Sequence, residues 1–156
     1  MTDQMDQAMN DFIDHMHVFR YPQTVVCDTV TASLIDLNEW RRREILPKEG
    51  YEKRGRIIYT GAMLLRAGFL AELAPIIGPS EASRFADMFL SSVPFDLTGI
   101  KGKVAVFQPR RGEHFSIIWT DASDTLEPFN HAKIVFPIGL LIKQWMVGAE
   151  LRMQNA

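Results

Sequence analysis

The sequence has few cysteines, no N-terminal features of a signal peptide and no long apolar run. It has one cysteine, Cys27, so no disulfide can form within the chain. The acidic N-terminus lacks the basic start and apolar run of a signal peptide, and we therefore expect a cytoplasmic protein. The longest apolar stretch, residues 134–142, is interrupted by Pro137 and Gly139 and is far shorter than the ~20 residues of a membrane helix. We expect no membrane contact.

Motifs of enzymes and metal sites are missing as well. The sequence has no Gly-x-Ser-x-Gly, no glycine-rich phosphate loop and no His-Glu-x-x-His. Its histidines are His15, His17, His114 and His131. The first two would point to different sides of a helix, and the other two have no cysteine nearby. Cys27 lies in an apolar run, where a small buried side chain is the usual role of a lone cysteine. We expect no catalytic residues, no metal and no cofactor.

The amino-acid composition is typical of a folded protein, and the charged residues are unevenly distributed along the chain. Of 156 residues, 47% are hydrophobic and 23% are charged, which supplies enough apolar surface for a packed core. The net charge is only -2, but residues 1–37 hold six aspartates and one arginine. Residues 38–66, which we call the basic island, hold eight basic and four acidic side chains. Such an asymmetry is expected where one face meets an anionic partner.

The first part of the chain shows two helical patterns and one hairpin. Apolar residues at spacings of three and four predict an amphipathic helix over residues 3–19. Ser33 is a suitable N-cap for a helix over 34–43. Residues 48–59 combine glycines with a charged, β-rich run and predict a two-stranded hairpin. By propensity alone, the β-branched residues 24–31 favour a strand.

Two further helices are predicted after the hairpin. Thr60 is the expected N-cap of a helix over residues 61–74, which Pro75 and Gly78-Pro79 are expected to stop. Ser80 is the expected cap of the next helix, which continues to about Leu90.

The pattern changes in the second half of the chain. Residues 103–107 and 114–119 are rich in β-formers around a turn and predict a hairpin, with a possible third strand at 134–136. A final helix is predicted over 139–154. We place the boundary between the two halves near residues 92–102.

Residues 22–91 contain a series of motifs in a characteristic order. In residues 26–47 a short segment and a turn lead to a helix that ends in a tryptophan, a basic run and an Ile-Leu-Pro exit. A basic segment at residues 52–59 and two predicted helices follow. This series resembles the winged helix-turn-helix domain of MerR-type proteins, in which a recognition helix is followed by a basic wing and two helices. The resemblance implies that residues 24–30 are a helix. It also implies that Glu44 takes the place of the glycine that ends the recognition helix in a left-handed conformation.

The expected fold is therefore α+β, mainly α: a winged helix-turn-helix followed by a small β-hairpin and a C-terminal helix region. We divide the chain into an acidic N-terminal helix (1–21), the MerR-like domain (22–91) and a dimerisation or sensor region (97–156). The resemblance implies a homodimer on double-stranded DNA.

The candidate DNA contacts come from the recognition helix and the wing. Short polar side chains and cations suit base edges and phosphates, since asparagine can bind adenine and arginine can bind guanine or phosphate. The candidates are Ser33, Asn38, Arg41, Arg42, Arg43, Lys48, Lys53, Arg54, Arg56 and Tyr59. Of these, Tyr59 either packs under the wing or donates to a phosphate, and about two of the three adjacent arginines can face DNA at once.

Two functional hypotheses follow. The first is a sequence-specific, double-stranded DNA-binding transcriptional regulator. The alternative is a protein interaction module, an adaptor or inhibitor on the same scaffold without DNA binding. Ile35 and Asp36 at the start of the predicted recognition helix favour the alternative, as does the acidic segment 3–14, which could bind a basic partner. An intermediate is a DNA-binding protein whose acidic N-terminal helix covers the basic island.

Overall fold

The fold is described from a computed structural model of the chain. The structure describes residues 2–48, 51–53, 56–90, 103–108, 116–121 and 134–155. The described part is mainly helical with antiparallel strands, an α+β protein in which helices predominate. Two compact units are formed, one by Met1–Ser91 together with Gln144–Ala156 and the other by Ser92–Lys143. Within the described ranges, no helix combines the length and the apolar character needed to cross a membrane.

Most of the regular elements belong to the first unit. In chain order they are α1 (Thr2–Asp14), β1 (Tyr21–Pro22), α2 (Gln23–Val30), α3 (Leu34–Arg42), β2 (Tyr51–Lys53), β3 (Arg56–Tyr59), α4 (Gly61–Ile77) and α5 (Pro79–Leu90). The second unit contains β4 (Lys103–Gln108), β5 (Ser116–Asp121) and β6 (Ile134–Phe136). The last helix is α6 (Ile138–Gln154), whose residues from Gln144 onward belong to the first unit.

Helix α2 forms where β-propensity alone favours a strand. Val25, Val26 and Val30 are buried on one side of this helix. Burying a valine contributes about 1.5 kcal/mol or more, whereas its lower helix propensity costs only a few tenths of that. Packing therefore decides the conformation, and the helix that the family resemblance implies is the one observed.

The turn between α2 and α3 is tight and well hydrogen bonded. Thr31 adopts a left-handed conformation with φ of 56°, and its N–H donates to the Cys27 carbonyl. Ser33 is the N-cap of α3, as predicted, because its hydroxyl accepts a 3.1 Å hydrogen bond from the Asp36 N–H. The Asp36 carboxylate in turn accepts a 3.1 Å bond from the Ser33 N–H. This reciprocal capping box fixes where α3 begins and in which direction it leaves the turn.

The predicted hairpin is present as β2 and β3. The two strands are antiparallel, with Lys53 opposite Arg56, and β1 pairs with the other edge of β3. The order in this sheet is β1-β3-β2. Because Tyr21 lies opposite Tyr59, the strand that precedes α2 is tied to the strand that leads into α4.

Helix α4 is the central element of the first unit and is longer than predicted. Thr60 caps it as expected, accepting a 3.1 Å hydrogen bond from the Met63 N–H. The predicted end at Ala74, before Pro75, is wrong, since α4 continues to Ile77. The predicted stop at Gly78-Pro79 is confirmed, because Gly78 is the C-cap. Proline removes one main-chain hydrogen bond, but Ile77 is buried and the Gly78 N–H donates to the Ala74 carbonyl at 2.9 Å. These contacts offset the lost bond.

Helix α5 begins one residue before its predicted cap. Pro79 is its first residue, so Ser80 lies inside the first turn. The Gly78 carbonyl accepts a 3.0 Å hydrogen bond from the Ala82 N–H. A proline suits the first helical position because the N–H that it lacks would have no partner there.

Phe69 of α4 is the centre of an aromatic cluster in the core. It packs edge-on against Phe85 and Phe89 of α5, with ring centroids 5.2 and 5.1 Å apart. Trp145, from the part of α6 that belongs to the first unit, packs against it in the same manner at 5.5 Å. Such aromatic pairs contribute about 0.5–1.5 kcal/mol each beyond the area that they bury. The end of α6 is thus part of this core.

A buried ionic group joins the N-terminal segment to the end of α6. Glu150 is 1% exposed and accepts hydrogen bonds from the Tyr21 hydroxyl, at 2.6 Å, and from the Arg20 guanidinium. Arg20 also donates to the Tyr21 oxygen at 3.2 Å. The bond to Glu150 raises the pKa of Arg20. Burial, followed by the bond to Glu150, raises the pKa of Tyr21, so the phenol remains a donor.

The second unit contains an antiparallel sheet with the order β5-β4-β6. Strands β4 and β5 form the predicted hairpin, with Lys103 opposite Asp121 and Gln108 opposite Ser116. The third strand, β6, pairs with the other edge of β4. The tip of this hairpin lies outside the described residues.

Glu44 occupies a backbone conformation that favours glycine, with φ of 63°. We expect Glu44→Gly to raise the free energy of unfolding by about 1 kcal/mol, because a side chain costs roughly 1–2 kcal/mol in the left-handed region and glycine avoids this cost. Urea denaturation measures the change. Lys48→Ala is the control, because it removes the exposed Lys48–Glu44 ion pair and leaves the backbone unchanged. A Glu44→Gly midpoint no higher than that of the parent chain would contradict the assignment of strain.

Candidate nucleic-acid interface

Helix α3 has an inward and an outward side. Leu37 and Trp40 are buried, so Trp40 anchors the helix in the core. Asn38 and Arg42 are exposed and lie four residues apart, hence on the same side of the helix. The exposed side of α3 therefore presents an amide and a guanidinium one turn apart.

Arg42 and Arg43 share a counter-ion within their own helix. Arg42 forms a two-pronged pair with the Glu39 carboxylate, through hydrogen bonds of 2.9 and 2.7 Å. Arg43 donates to the same carboxylate at 2.8 Å. The Arg42 side chain is nevertheless 70% exposed, and that of Arg43 is 50% exposed. Exposed ion pairs of this kind contribute little to stability. Both guanidinium groups can therefore leave Glu39 and pair with an anionic partner.

Arg41 points in a different direction from the other two arginines. It donates to the Lys48 carbonyl, and its guanidinium lies 5.9 Å from the centre of the Tyr59 ring. Its Nη1 atom is buried and has no hydrogen-bond partner among the described residues. Arg41 therefore ties the end of α3 to the loop before β2 and to β3.

Tyr59 is the buried last residue of β3. The residue is fully buried, and its hydroxyl has no hydrogen-bond partner in the described part of the chain. Burial raises the pKa of Tyr59, while the neighbouring Arg41 acts in the opposite direction. Of the two roles considered for Tyr59, a packing role is the one that this burial fits, because the hydroxyl is not accessible to a phosphate.

The other candidates are distributed between the start of α3, the loop and the hairpin. Ser33 is exposed at the start of α3, with its oxygen engaged in the capping box. Lys48 is exposed and pairs with Glu44 at 3.0 Å. Lys53 and Arg56 lie opposite each other on the hairpin, and Arg56 is exposed. Arg54 lies outside the described residues.

Arg66 belongs to the basic island in sequence but acts as a structural residue. It donates to the Ser83 hydroxyl at 3.2 Å and to the Ile45 carbonyl at 3.3 Å, and it pairs with Asp87. Its side chain is only 16% exposed. It therefore connects α4 to α5 and to the segment after α3. Its charge is paired with Asp87 inside the fold.

Glu39 is the residue of this surface that the sequence analysis overlooked. Its position three and four residues before two arginines is the signal that could have identified it, because such residues meet on one side of a helix. The acidic residues of α1, by contrast, form no ion pair with the basic island in the part of the chain that the structure describes. The hypothesis that the acidic side chains of α1 cover the island therefore has no ion pair among the described residues to support it.

A reactive thiol and a metal site are the other kinds of chemistry considered for this part of the chain. Burial, and next the charge of Asp28, raise the pKa of the Cys27 thiol, which disfavours the reactive thiolate. The described residues contain no group of three or more side chains suited to hold a metal ion.

No protein family model matches the sequence, and no curated protein matches it either.

The Glu39 carboxyl is expected to titrate far below an ordinary glutamate. Hydrogen bonds from Arg42 and then Arg43 lower its pKa from 4.5 to about 2. Any stability that these bonds contribute is present above the unfolded pKa of 4.5 and is lost as the pH falls towards 2. A carbon-detected NMR titration of the carboxyl group measures this value. Arg42→Gln should move it upward, and a pKa that Arg42→Gln leaves unchanged would contradict the pairing.

Proposed function

We propose that this chain is a sequence-specific, double-stranded DNA-binding regulator, with a winged helix-turn-helix formed by α2, α3 and the β2–β3 hairpin. The observation that carries the proposal is the start of α3, which follows a tight turn, is fixed by a capping box and is exposed. A helix presented in this way suits the major groove, where residues near its N-terminus meet base edges.

The charges around α3 support the same proposal. Arg42 and Arg43 lie at the end of α3, and Arg56 lies on the hairpin, all of them exposed. Cations at both places suit the phosphates that flank a groove. The second unit would then provide dimerisation or receive a signal, and the protein would act as a homodimer in the cytoplasm.

A titration of duplex DNA tests the proposal. Fluorescence anisotropy with mixed genomic duplex fragments should give binding that weakens by an order of magnitude or more between about 50 and 200 mM salt. Arg42→Glu should weaken it at least about tenfold, because it removes a phosphate contact and adds repulsion. Arg152→Glu is the matched control, since Arg152 is exposed near the end of α6 and belongs to neither α3 nor the β2–β3 hairpin. Both variants should keep the circular dichroism spectrum of the parent chain.

The second candidate function is a protein interaction module. It is favoured by the pairing of Arg42 and Arg43 with Glu39, which partly neutralises the surface, and by the exposed aliphatic side chains of the first turn of α3. A folded protein that fails to bind duplex DNA at either salt concentration would favour this candidate. A pull-down with the parent chain and Ile35→Asp would then be the next measurement.

A further inference from the structure

Two aliphatic side chains at the start of α3 are exposed without a packing role. Ile35 is 79% exposed and Leu34 is 47% exposed. No other large hydrophobic side chain in the described part of the chain is as exposed as Ile35. The inward side of the helix is already occupied by Leu37 and Trp40, so the core does not need this pair. Apolar side chains placed together at a surface often mark a contact site.

The polar groups of the same turn are engaged with one another. The Ser33 hydroxyl and the Asp36 carboxylate each accept a backbone hydrogen bond of the capping box. This fixes the turn that carries the aliphatic pair and leaves their side chains as its most exposed large groups. The start of α3 therefore offers a partner an aliphatic pair beside one exposed carboxylate, which is held against the Ser33 N–H.

The next turns of the helix carry polar and charged groups on the same side. Asn38 lies four residues after Leu34 and three after Ile35, and Arg42 lies four residues further on. The exposed stripe thus runs from aliphatic side chains through an amide to a guanidinium. An amide and a cation beside an apolar pair suit a polar, anionic partner with isolated apolar groups better than an apolar protein surface.

We propose that Leu34 and Ile35 read thymine methyl groups in the major groove, next to an adenine bound by Asn38. The thymine C5 methyl is the apolar group that B-DNA presents in that groove, and asparagine suits the paired acceptor and donor of adenine. The preferred ligand is then a duplex with thymine where the start of α3 meets the base edges. This inference rests on the proposed DNA binding.

Replacement of thymine by deoxyuracil tests the proposal, because it removes only the methyl group. A preferred duplex is first selected from a random pool with the parent chain. We expect its deoxyuracil version to bind about fourfold more weakly for each methyl that is contacted, given that a buried methyl contributes about 0.8 kcal/mol. Ile35→Ala should bind the two duplexes with more similar affinities, and Leu34→Ala should show the same trend. Ile76→Ala is the matched control, since Ile76 is 53% exposed but lies on α4.

The outcomes separate this inference from the function on which it rests. Equal affinity for the two duplexes, with binding still dependent on Arg42, overturns thymine reading and leaves DNA binding intact. A deoxyuracil effect of the same size in the parent chain, Leu34→Ala and Ile35→Ala also overturns it, because the methyl is then sensed elsewhere. Failure to select any duplex overturns both proposals.

Discussion

Replacing Glu150 with alanine is expected to lower the free energy of unfolding by about 3 kcal/mol, since removing one partner of a buried ion pair leaves the other uncompensated. The Tyr21 residue is fully buried, and its hydroxyl would lose its 2.6 Å acceptor. Arg20 would lose its counter-ion, although its side chain is 28% exposed and can still reach water. Urea denaturation monitored by tryptophan fluorescence measures the loss.

Two further variants make the Glu150 prediction specific. Glu150→Gln keeps an acceptor for Tyr21 and removes only the charge, so its stability should lie between those of Glu150→Ala and the parent chain. Asp6→Ala removes an exposed acid of α1 and should change stability by no more than about 0.5 kcal/mol. Equal stability of Glu150→Ala and Asp6→Ala would show that the buried group does not hold the end of α6 in place.

Gly68→Ala is expected to destabilise the first unit by about 2 kcal/mol, within the usual cost of overpacking a core. A Cβ atom at this position would lie 2.8 Å from three ring atoms of Trp145. The Trp145 side chain is 3% exposed and packs against Phe69, so it has no free space into which to move. The clash should outweigh the roughly 1 kcal/mol that alanine contributes relative to glycine inside a helix. Thermal unfolding followed by circular dichroism measures the balance.

Gly148→Ala is the matched control for Gly68→Ala, because both glycines lie within helices. At Gly148 a Cβ would meet the end of the exposed Arg152 side chain at 2.9 Å, and this side chain can move away. We therefore expect Gly148→Ala to raise stability by up to about 1 kcal/mol. If both alanine variants were stabilising, the close packing of Trp145 on α4 would be contradicted.

The elements near α3 could be predicted because their signals are local. Ser33 and Thr60 cap the helices that they precede, and the predicted hairpin forms as β2 and β3. The conformation of residues 24–30 could not be settled by local propensity, since buried valines decide it. The predicted end of α4 before Pro75 failed for the same reason, because packing around the end of α4 outweighs one lost hydrogen bond.

The candidate site was predicted as a set of residue types, and the directions of some of their side chains could not be predicted. Three adjacent arginines look equivalent in sequence, yet Arg41 turns inward to Tyr59 while Arg42 and Arg43 pair with Glu39. The direction of Arg41 depends on β3 and on the loop after α3, which sequence reasoning could not position. The pairing of the other two follows from the local spacing to Glu39 and could have been predicted. Whether these side chains bind DNA stays a prediction.

The contact between Tyr21 and Glu150 has a consequence for synthesis of the chain on the ribosome. The two residues are 129 positions apart, and the second unit is encoded between them. At ~5–20 residues per second, the segment that carries Tyr21 emerges several seconds before Glu150 exists. During that interval the nascent first unit lacks both Trp145 and its buried carboxylate. The first unit can therefore complete its core only after translation has reached the end of α6.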